Sequence, residues 1–240
     1  FAPMLMAEQL DQMGGEQLRR KIESMGVRVH TSKNTLEIVQ EGVEARKTMR
    51  FADGSELEVD FIVFSTGIRP RDKLATQCGL DVAPRGGIVI NDSCQTSDPD
   101  IYAIGECASW NNRVFGLVAP GYKMAQVAVD HILGSENAFE GADLSAKLKL
   151  LGVDVGGIGD AHGRTPGARS YVYLDESKEI YKRLIVSEDN KTLLGAVLVG
   201  DTSDYGNLLQ LVLNAIELPE NPDSLILPAH SGSGKPSIGV

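Results

Sequence analysis

The spacing of apolar residues near the start of the chain predicts one amphipathic helix. Leu18, Ile22 and Met25 recur at helical intervals, so they fall on a single face. Asp11 precedes this pattern, and aspartate is a favoured N-cap residue, so we expect the helix to begin there. Apolar and polar residues alternate in the stretch that follows, residues 27–30, which predicts the start of a strand.

The next part of the chain predicts a small antiparallel sheet followed by a buried strand. Strand-like runs cover residues 36–39, 43–51 and 56–59, and the Asp53-Gly54 pair between the last two is a strong hairpin signal. Residues 61–64 are apolar throughout, which is typical of a strand that is buried on both faces.

A short strand that delivers an acidic side chain to a ligand is predicted within residues 96–108, TSDPDIYAIGECA. The apolar run 101–104 follows a proline-containing turn, which favours a strand over a helix. Gly105 permits a close approach, and Glu106 follows the strand, at the edge where α/β sheets bind ligands. The alternative is an ordinary strand that ends in a surface glutamate.

A second amphipathic helix is predicted from Pro120, because proline is favoured at the first helical position. Four apolar residues fall on one face of it: Met124, Val127, Ala128 and Ile132. Gly134 ends the pattern. The N-terminus of a helix carries unpaired N–H groups and partial positive charge, so the end of this helix near Gly121 is a candidate binding element.

The last third of the chain predicts strands followed by a helix. The strand-like runs are residues 147–155, 170–174, 180–187 and 193–199, and a helix is predicted over 204–217. This order is typical of a small α+β domain, which we place at 144–228. Residues 229–240 are rich in Pro, Gly and Ser and predict a linker tail.

Composition restricts the classes of function. The 42% hydrophobic and 23% charged residues are ordinary for a globular protein, and no apolar run is long enough to cross a membrane. A formal net charge of −10 argues against a nucleic-acid partner. The three cysteines form no C-x-x-C pair, so we expect reduced thiols in a cytoplasmic protein. The four histidines lack metal-ligand spacing, so we expect no metal site and treat them as surface or core residues.

Three stretches together resemble the pyridine nucleotide-disulfide oxidoreductase family, flavoprotein reductases that carry two dinucleotide-binding domains. The stretches are STGIRP (65–70), TSDPDIYAIGECA (96–108) and VAPGYKMAQVAVDHILG (118–134), and the last third resembles the rubredoxin-reductase type of C-terminal domain. The resemblance implies an α/β fold with the back part of an NAD-binding domain at 1–63 and the second half of an FAD-binding domain at 64–140.

The resemblance also implies roles for five residues. Gly105 and Glu106 would contact the ribityl chain of FAD, and the Gly121 end of the helix would face the flavin ring, where it would stabilise negative charge. Thr66 and Gly67 would lie at the junction between the nucleotide sites. Glu106 stands where the family usually has Asp, so its contact must be re-spaced or bridged by water. No residue of this chain is implied as catalytic.

A narrower resemblance is to the nitrite-reducing branch of that family, and residues 104–126, IGECASWNNRVFGLVAPGYKMAQ, carry much of it. It implies NADH and FAD as cofactors, with an iron–sulfur cluster and sirohaem outside this segment. The implied partners are downstream redox domains and a small subunit, and the implied reaction is the reduction of nitrite to ammonia.

No G-x-G-x-x-G loop is present, so we expect the FAD and NAD loops to lie before Phe1 and the chain to be an inactive internal fragment. A rubredoxin or ferredoxin reductase and an NADH oxidase are the alternatives within the enzyme class. A non-catalytic scaffold or docking module is the alternative outside it. Exposed sheet edges leave open a homodimer.

Overall fold

The computed structural model describes residues 2–40, 42 and 46–228, which form two compact units. One unit is Val63–Asp143, and the other combines the described residues of 1–62 with those of 144–240. Both contain helices and β-sheet, which confirms the predicted α/β class. The predicted tail at 229–240 lies outside the described residues.

Helix α1 (Gln12–Ser24) forms where the apolar spacing predicts it. Asp11 is the N-cap, and its Oδ1 accepts a hydrogen bond of 2.9 Å from an N–H of the first turn. Leu18 and Ile22 are buried. Met25 does not share their face, because the helix ends at Ser24 and the Met25 side chain is exposed.

Two predicted strands are wrong. Residues 27–30 and 61–64 are irregular, and no described strand pairs with either. A strand needs a neighbour that satisfies its backbone N–H and C=O groups, and local alternation cannot supply one. Residues 61–64 are therefore not a buried strand: Phe61 is 78% exposed and Phe64 70% exposed.

Strands β1 (Thr35–Gln40), β2 (Lys47–Phe51) and β3 (Glu56–Val59) form an antiparallel sheet in chain order, as predicted. Gly54 in the turn between β2 and β3 has a φ of +79°, a conformation that favours glycine. Residues 43–45, predicted as the start of the second strand, lie outside the described residues.

The smaller unit begins with helix α2 (Lys73–Gln77) and a short sheet. Its strands are β4 (Ile88–Ile90), β5 (Ala108–Trp110) and β6 (Arg113–Val114). Strand β5 lies between the other two, parallel to β4 and antiparallel to β6.

The predicted strand at 101–104 is also wrong. Its backbone bonds to the preceding loop instead of a sheet: Thr96 N–H donates to Ile101 O at 2.9 Å and Ala103 N–H donates to Cys94 O at 3.1 Å. The segment is therefore the return arm of a tight local hairpin, with one isolated bridge at Tyr102.

Helix α3 (Val118–Ile132) begins before the predicted Pro120, which stands inside the first turn. Proline is tolerated there because the first-turn N–H groups have no partner within the helix. Met124 is fully buried, whereas Ile132, predicted on the same face, is 65% exposed. The buried face of α3 packs in a core with Ile90, Cys94, Ala103, Ala108, Phe115 and Phe139.

Five antiparallel strands form the sheet of the larger unit, in the order β7-β8-β11-β10-β9. They are β7 (Ala146–Leu150), β8 (Val153–Gly159), β9 (Arg169–Asp175), β10 (Ile180–Val186) and β11 (Leu193–Val199). The single strand predicted at 147–155 is thus two strands, because Leu151 and Gly152 both have positive φ and reverse the chain.

Helices cover both faces of this sheet. Helix α4 (Tyr205–Leu213) is shorter than predicted, since Ala215 adopts a φ of +48°. It packs on one face, with a core that includes Ile158, Leu184, Ala196, Leu198, Leu208 and Leu211. Helix α1 packs on the other, with Leu10, Leu18, Ile22, Val155, Tyr181, Val197 and Val199. No helix in the described part of the chain has the length and apolar character to span a bilayer.

Candidate functional site

Gly105 and Glu106 lie in a single 3-10 turn, Gly105–Cys107, in the smaller unit. Gly105 has a φ of +79°, which residues with a Cβ rarely adopt. Its N–H donates to the sulfur of Met124 at 3.2 Å, and its carbonyl accepts from the Ala108 N–H. Both backbone hydrogen-bonding groups of Gly105 are therefore used within the protein. Because the residue has no side chain, a ligand can approach its backbone closely.

The first turn of α3 lies directly against this 3-10 turn. A Cβ built on Gly121 would come within 3.2 Å of the Gly105 Cα, so glycine at both positions allows the approach. The N-cap residue Leu117 makes no side-chain capping bond, so no cap side chain occupies the first-turn N–H groups. The structure thus brings together three of the five predicted site residues: Gly105, Glu106 and Gly121.

An open cavity of ≈ 490 Å³ lies where the two elements meet. Its lining residues are mostly apolar: Ile104, Gly105, Glu106, Leu117, Val118, Gly121, Tyr122 and Ala125. Val118 and Tyr122 expose most of their surface, although both are large apolar residues. An apolar wall beside the positive end of a helix suits a flat ring system that carries partial negative charge.

A second cavity of ≈ 330 Å³ is also lined by Glu106 and is more polar. Arg69, Arg71 and Cys107 line it together with Glu106. Within the described part of the chain, neither the Glu106 carboxylate nor the two guanidinium groups has an ion-pair or hydrogen-bond partner. Glu106 therefore lines both an apolar and a cationic cavity. Its carboxylate oxygens are free to accept hydrogen bonds from a ligand.

Thr66 and Gly67, the other two predicted site residues, line neither of these cavities. Both are exposed, and Gly67 has a φ of +85°. The next residue, Ile68, does line the polar cavity, and its side chain lies 3.5 Å from the position a Cβ would take on Gly116. Of the predicted junction and the residue that follows it, only Ile68 lines a cavity of the site.

Two contacts between the 101–107 segment and α3 are not predicted by the sequence pattern. One is the bond from Gly105 to Met124, which joins positions 19 residues apart. The other joins the Tyr102 hydroxyl to Nδ1 of His131 at 2.7 Å. These two residues are 29 positions apart, so no local pattern reveals the pair.

The three cysteines are free thiols. Cys94 is fully buried, and burial raises the pKa of its thiol to about 11, so it behaves as a small core residue. The Cys107 sulfur lies 3.4 Å from the Ile104 carbonyl. Over the described ranges, no three or more His, Cys, Asp or Glu side chains form a group that could hold a metal ion.

Two family models match the sequence in succession. Residues 1–131 match the model described as pyridine nucleotide-disulphide oxidoreductase. Residues 145–216 match the model described as the rubredoxin NAD+ reductase C-terminal domain. The predicted fold class, a partial dinucleotide-binding flavoprotein fold followed by a rubredoxin-reductase type of domain, is confirmed by these matches.

Full-length relatives are much longer than this chain. The large subunit of nitrite reductase [NAD(P)H] from Klebsiella oxytoca is 55% identical over 240 residues, which are 100% of this chain and 25% of that protein. The nitrite reductase [NAD(P)H] of Emericella nidulans is 38% identical over 95% of this chain and 23% of its own length. The chain spans about a quarter of the length of these curated relatives.

Solved structures share the fold at lower identity. A ferredoxin reductase from Rhodopseudomonas palustris superposes with a TM-score of 0.72 at 20% identity, covering 93% of this chain and 54% of that one. An FAD-dependent pyridine nucleotide-disulphide oxidoreductase from Desulfovibrio vulgaris gives a TM-score of 0.64 at 24% identity, covering 86% of this chain and 53% of that one. At these identities the likeness concerns the fold alone.

Proposed function

The chain belongs to the pyridine nucleotide-disulphide oxidoreductase family, and we propose that it forms part of the flavoprotein module of an NAD(P)H-dependent nitrite reductase. In the longer protein, the module would pass electrons from NAD(P)H through FAD to centres that reduce nitrite to ammonia. On its own the chain would be inactive, because the sequence contains no glycine-rich phosphate loop.

One observation carries the flavin part of this proposal. The Gly105–Cys107 turn and the uncapped first turn of α3 lie in direct contact, and an apolar cavity opens beside them. Such a surface combines a close backbone approach, a positive helix end and an apolar wall. These are the features that a flavin requires of its protein. The nitrite reductase relatives support the identity of the electron acceptor.

The residues that are present fit FAD. Glu106 would accept hydrogen bonds from the hydroxyl groups of the ribityl chain, since its carboxylate has no partner within the described ranges. The Gly121 end of α3 would face the ring, with Val118 and Tyr122 as apolar contacts. When bound, FAD supplies hydride acceptance from NAD(P)H and the onward release of electrons. The chain's own part is to hold and orient the group.

Other parts of the proposal rest on the relatives and on the resemblance of the sequence motifs. Thr66 and Gly67 would lie between the nucleotide sites, although neither lines the two cavities described above. The domains would be 1–63, 64–140 and 144–228, followed by a linker at 229–240. The longer protein would carry an iron–sulfur cluster and sirohaem in further domains, act with a small subunit, and reside in the cytoplasm.

The proposal is tested on the purified full-length protein that contains this chain. We expect a yellow protein with near-stoichiometric FAD and an NAD(P)H oxidation rate that depends on nitrite, with ammonia as the product. Dye reduction by NAD(P)H without nitrite reduction would instead favour a rubredoxin or ferredoxin reductase. A flavin-free protein would contradict the proposal as a whole and favour a scaffold role.

A further inference from the structure

We propose that Met124 is a positioning residue of the flavin site, which holds the Gly105–Cys107 turn against α3 through its sulfur atom. The inference rests on the proposed function, because the turn positions Glu106 for FAD only if FAD binds there. It concerns a residue that lines neither cavity described above and acts through the backbone of Gly105.

The first support is the hydrogen bond itself. The Gly105 N–H donates to Met124 Sδ at 3.2 Å, and the Met124 side chain is fully buried. Methionine sulfur is a weak acceptor, so its use by a backbone amide indicates that nothing stronger is within reach. The carbonyls in the first turns of α3 are engaged in the helix, so the acceptor that this part of α3 offers is a side chain.

The second support is the composition of the surrounding core. The side chains packed around Met124 are aliphatic or aromatic apart from Cys94. A leucine would fill the same volume in such a core at small cost. Packing alone therefore does not require methionine, whereas only a side chain with an acceptor atom can bond the Gly105 amide from this position.

The third support is the set of contacts that hold residues 102–107 against α3. At its upstream end, Tyr102 bonds to His131 near the C-terminal end of the helix. At its downstream end, Gly105 touches Gly121 and bonds to Met124. Of the two hydrogen bonds, the one to Met124 is the nearer to Glu106 in the chain. Together with the Gly105–Gly121 contact, it fixes the turn that carries the Glu106 carboxylate against the first turns of α3.

The test replaces Met124 by leucine in the full-length protein, with Met13→Leu as the matched control because Met13 is exposed in the other unit. Two quantities are measured: the dissociation constant of FAD after removal and titration of the flavin, and hydrogen–deuterium exchange of the peptide that contains Gly105. In Met124→Leu we expect FAD to bind about threefold to tenfold more weakly and the Gly105 amide to exchange faster.

A structural role alone gives a different pattern from a positioning role. Loss of packing would lower the Tm and raise exchange throughout α3. Loss of the Gly105–Met124 hydrogen bond raises exchange only in the Gly105–Cys107 turn. Unchanged FAD affinity and unchanged Gly105 exchange in Met124→Leu overturn the inference while the proposed function stands. A wild-type protein that binds no FAD removes the proposed function, and the inference falls with it.

A second variant reaches the same contact from the other side, in case Met124→Leu does not fold. Gly121→Ala places a methyl group against the Gly105 Cα and pushes the turn away from Met124. We expect faster exchange of the Gly105 amide, which is the readout for this variant because Gly121 itself lines the proposed flavin cavity. A wild-type exchange rate at Gly105 in this variant contradicts the inference.

Discussion

The Tyr181 hydroxyl donates a hydrogen bond of 2.6 Å to Oδ2 of Asp11, although the two residues are 170 positions apart in the chain. Arg183 Nη1 donates to the same oxygen at 2.8 Å, and the other oxygen of Asp11 caps α1. Burial, together with the Asp11 carboxylate, raises the pKa of Tyr181 above its usual range, so the hydroxyl remains a donor. One carboxylate thus both begins α1 and fastens it to β10.

Replacing Asp11 by alanine is expected to reduce the free energy of unfolding by about 2–4 kcal/mol. The variant loses the helix cap and leaves Tyr181 and Arg183 without their shared acceptor. Urea denaturation followed by circular dichroism measures the change. Asp100→Ala, at an exposed position, serves as the control and should shift stability by less than about 0.5 kcal/mol. A similar effect of both substitutions contradicts the role of Asp11.

The ionised Asp201 carboxylate stabilises the larger unit, and this stabilisation is lost at acidic pH. Burial opposes ionisation, but hydrogen bonds from Lys182 and from the Ser203 backbone lower the pKa of Asp201 from 3.8 to about 2. A lowered carboxyl pKa stabilises the fold above about pH 4, and this contribution is lost as the pH falls toward 2.

Asp201→Asn should therefore destabilise the protein at pH 7 by about 1–2 kcal/mol, after allowance for solvent screening of a side chain that is 34% exposed. The difference from wild type should shrink as the pH is lowered from 4 to 2. Thermal unfolding over that range measures it. A difference that stays constant with pH would show that the Asp201 charge is not responsible.

Glu106→Ala in the full-length protein is expected to weaken FAD binding by roughly tenfold to a hundredfold, because a charged acceptor for the ribityl hydroxyls is lost. Glu106→Asp keeps the charge and should lose less. Glu136→Ala, exposed in the same unit, is the control. Flavin absorbance after dialysis measures retention. Full occupancy and normal NADH-driven dye reduction in Glu106→Ala would remove Glu106 from the site.

Expressed by itself, this chain is expected to be colourless and to oxidise no NADH. Glycine-rich loops supply most of the phosphate contacts that hold a dinucleotide, and the sequence contains none. The absorbance spectrum of the purified chain is the measurement. A yellow preparation with near-stoichiometric flavin would show that the surface around Glu106 binds FAD without those loops.

The sequence predicted elements whose partners are close in the chain. Helix α1 and the β1–β3 sheet were predicted because a cap, a helical repeat and a short turn are local signals. The strands predicted at 27–30 and 61–64 do not form, because a strand depends on a neighbour that local alternation does not reveal. The strand predicted at 101–104 is wrong for the same reason.

The candidate site was predictable only in part. The glycine at 105 and the helix near Gly121 could be placed from turn and capping chemistry, and the structure brings them together. The bonds from Gly105 to Met124 and from Tyr102 to His131 depend on tertiary packing between segments that share no repeat. The spacing of residues in a single sequence does not predict tertiary contacts of this kind.

The burial of α1 between distant segments has a consequence for synthesis of the protein. The apolar face of α1 packs against side chains of β10 and β11, among them Tyr181 and Val199. At a translation rate of about 5–20 residues per second, the ribosome needs roughly ten to thirty seconds to travel the 170 positions from Asp11 to Tyr181. During that interval the β10 and β11 partners of this face have yet to be made. Until then, β10 and β11 cannot cover Leu18 and Ile22 on the nascent chain.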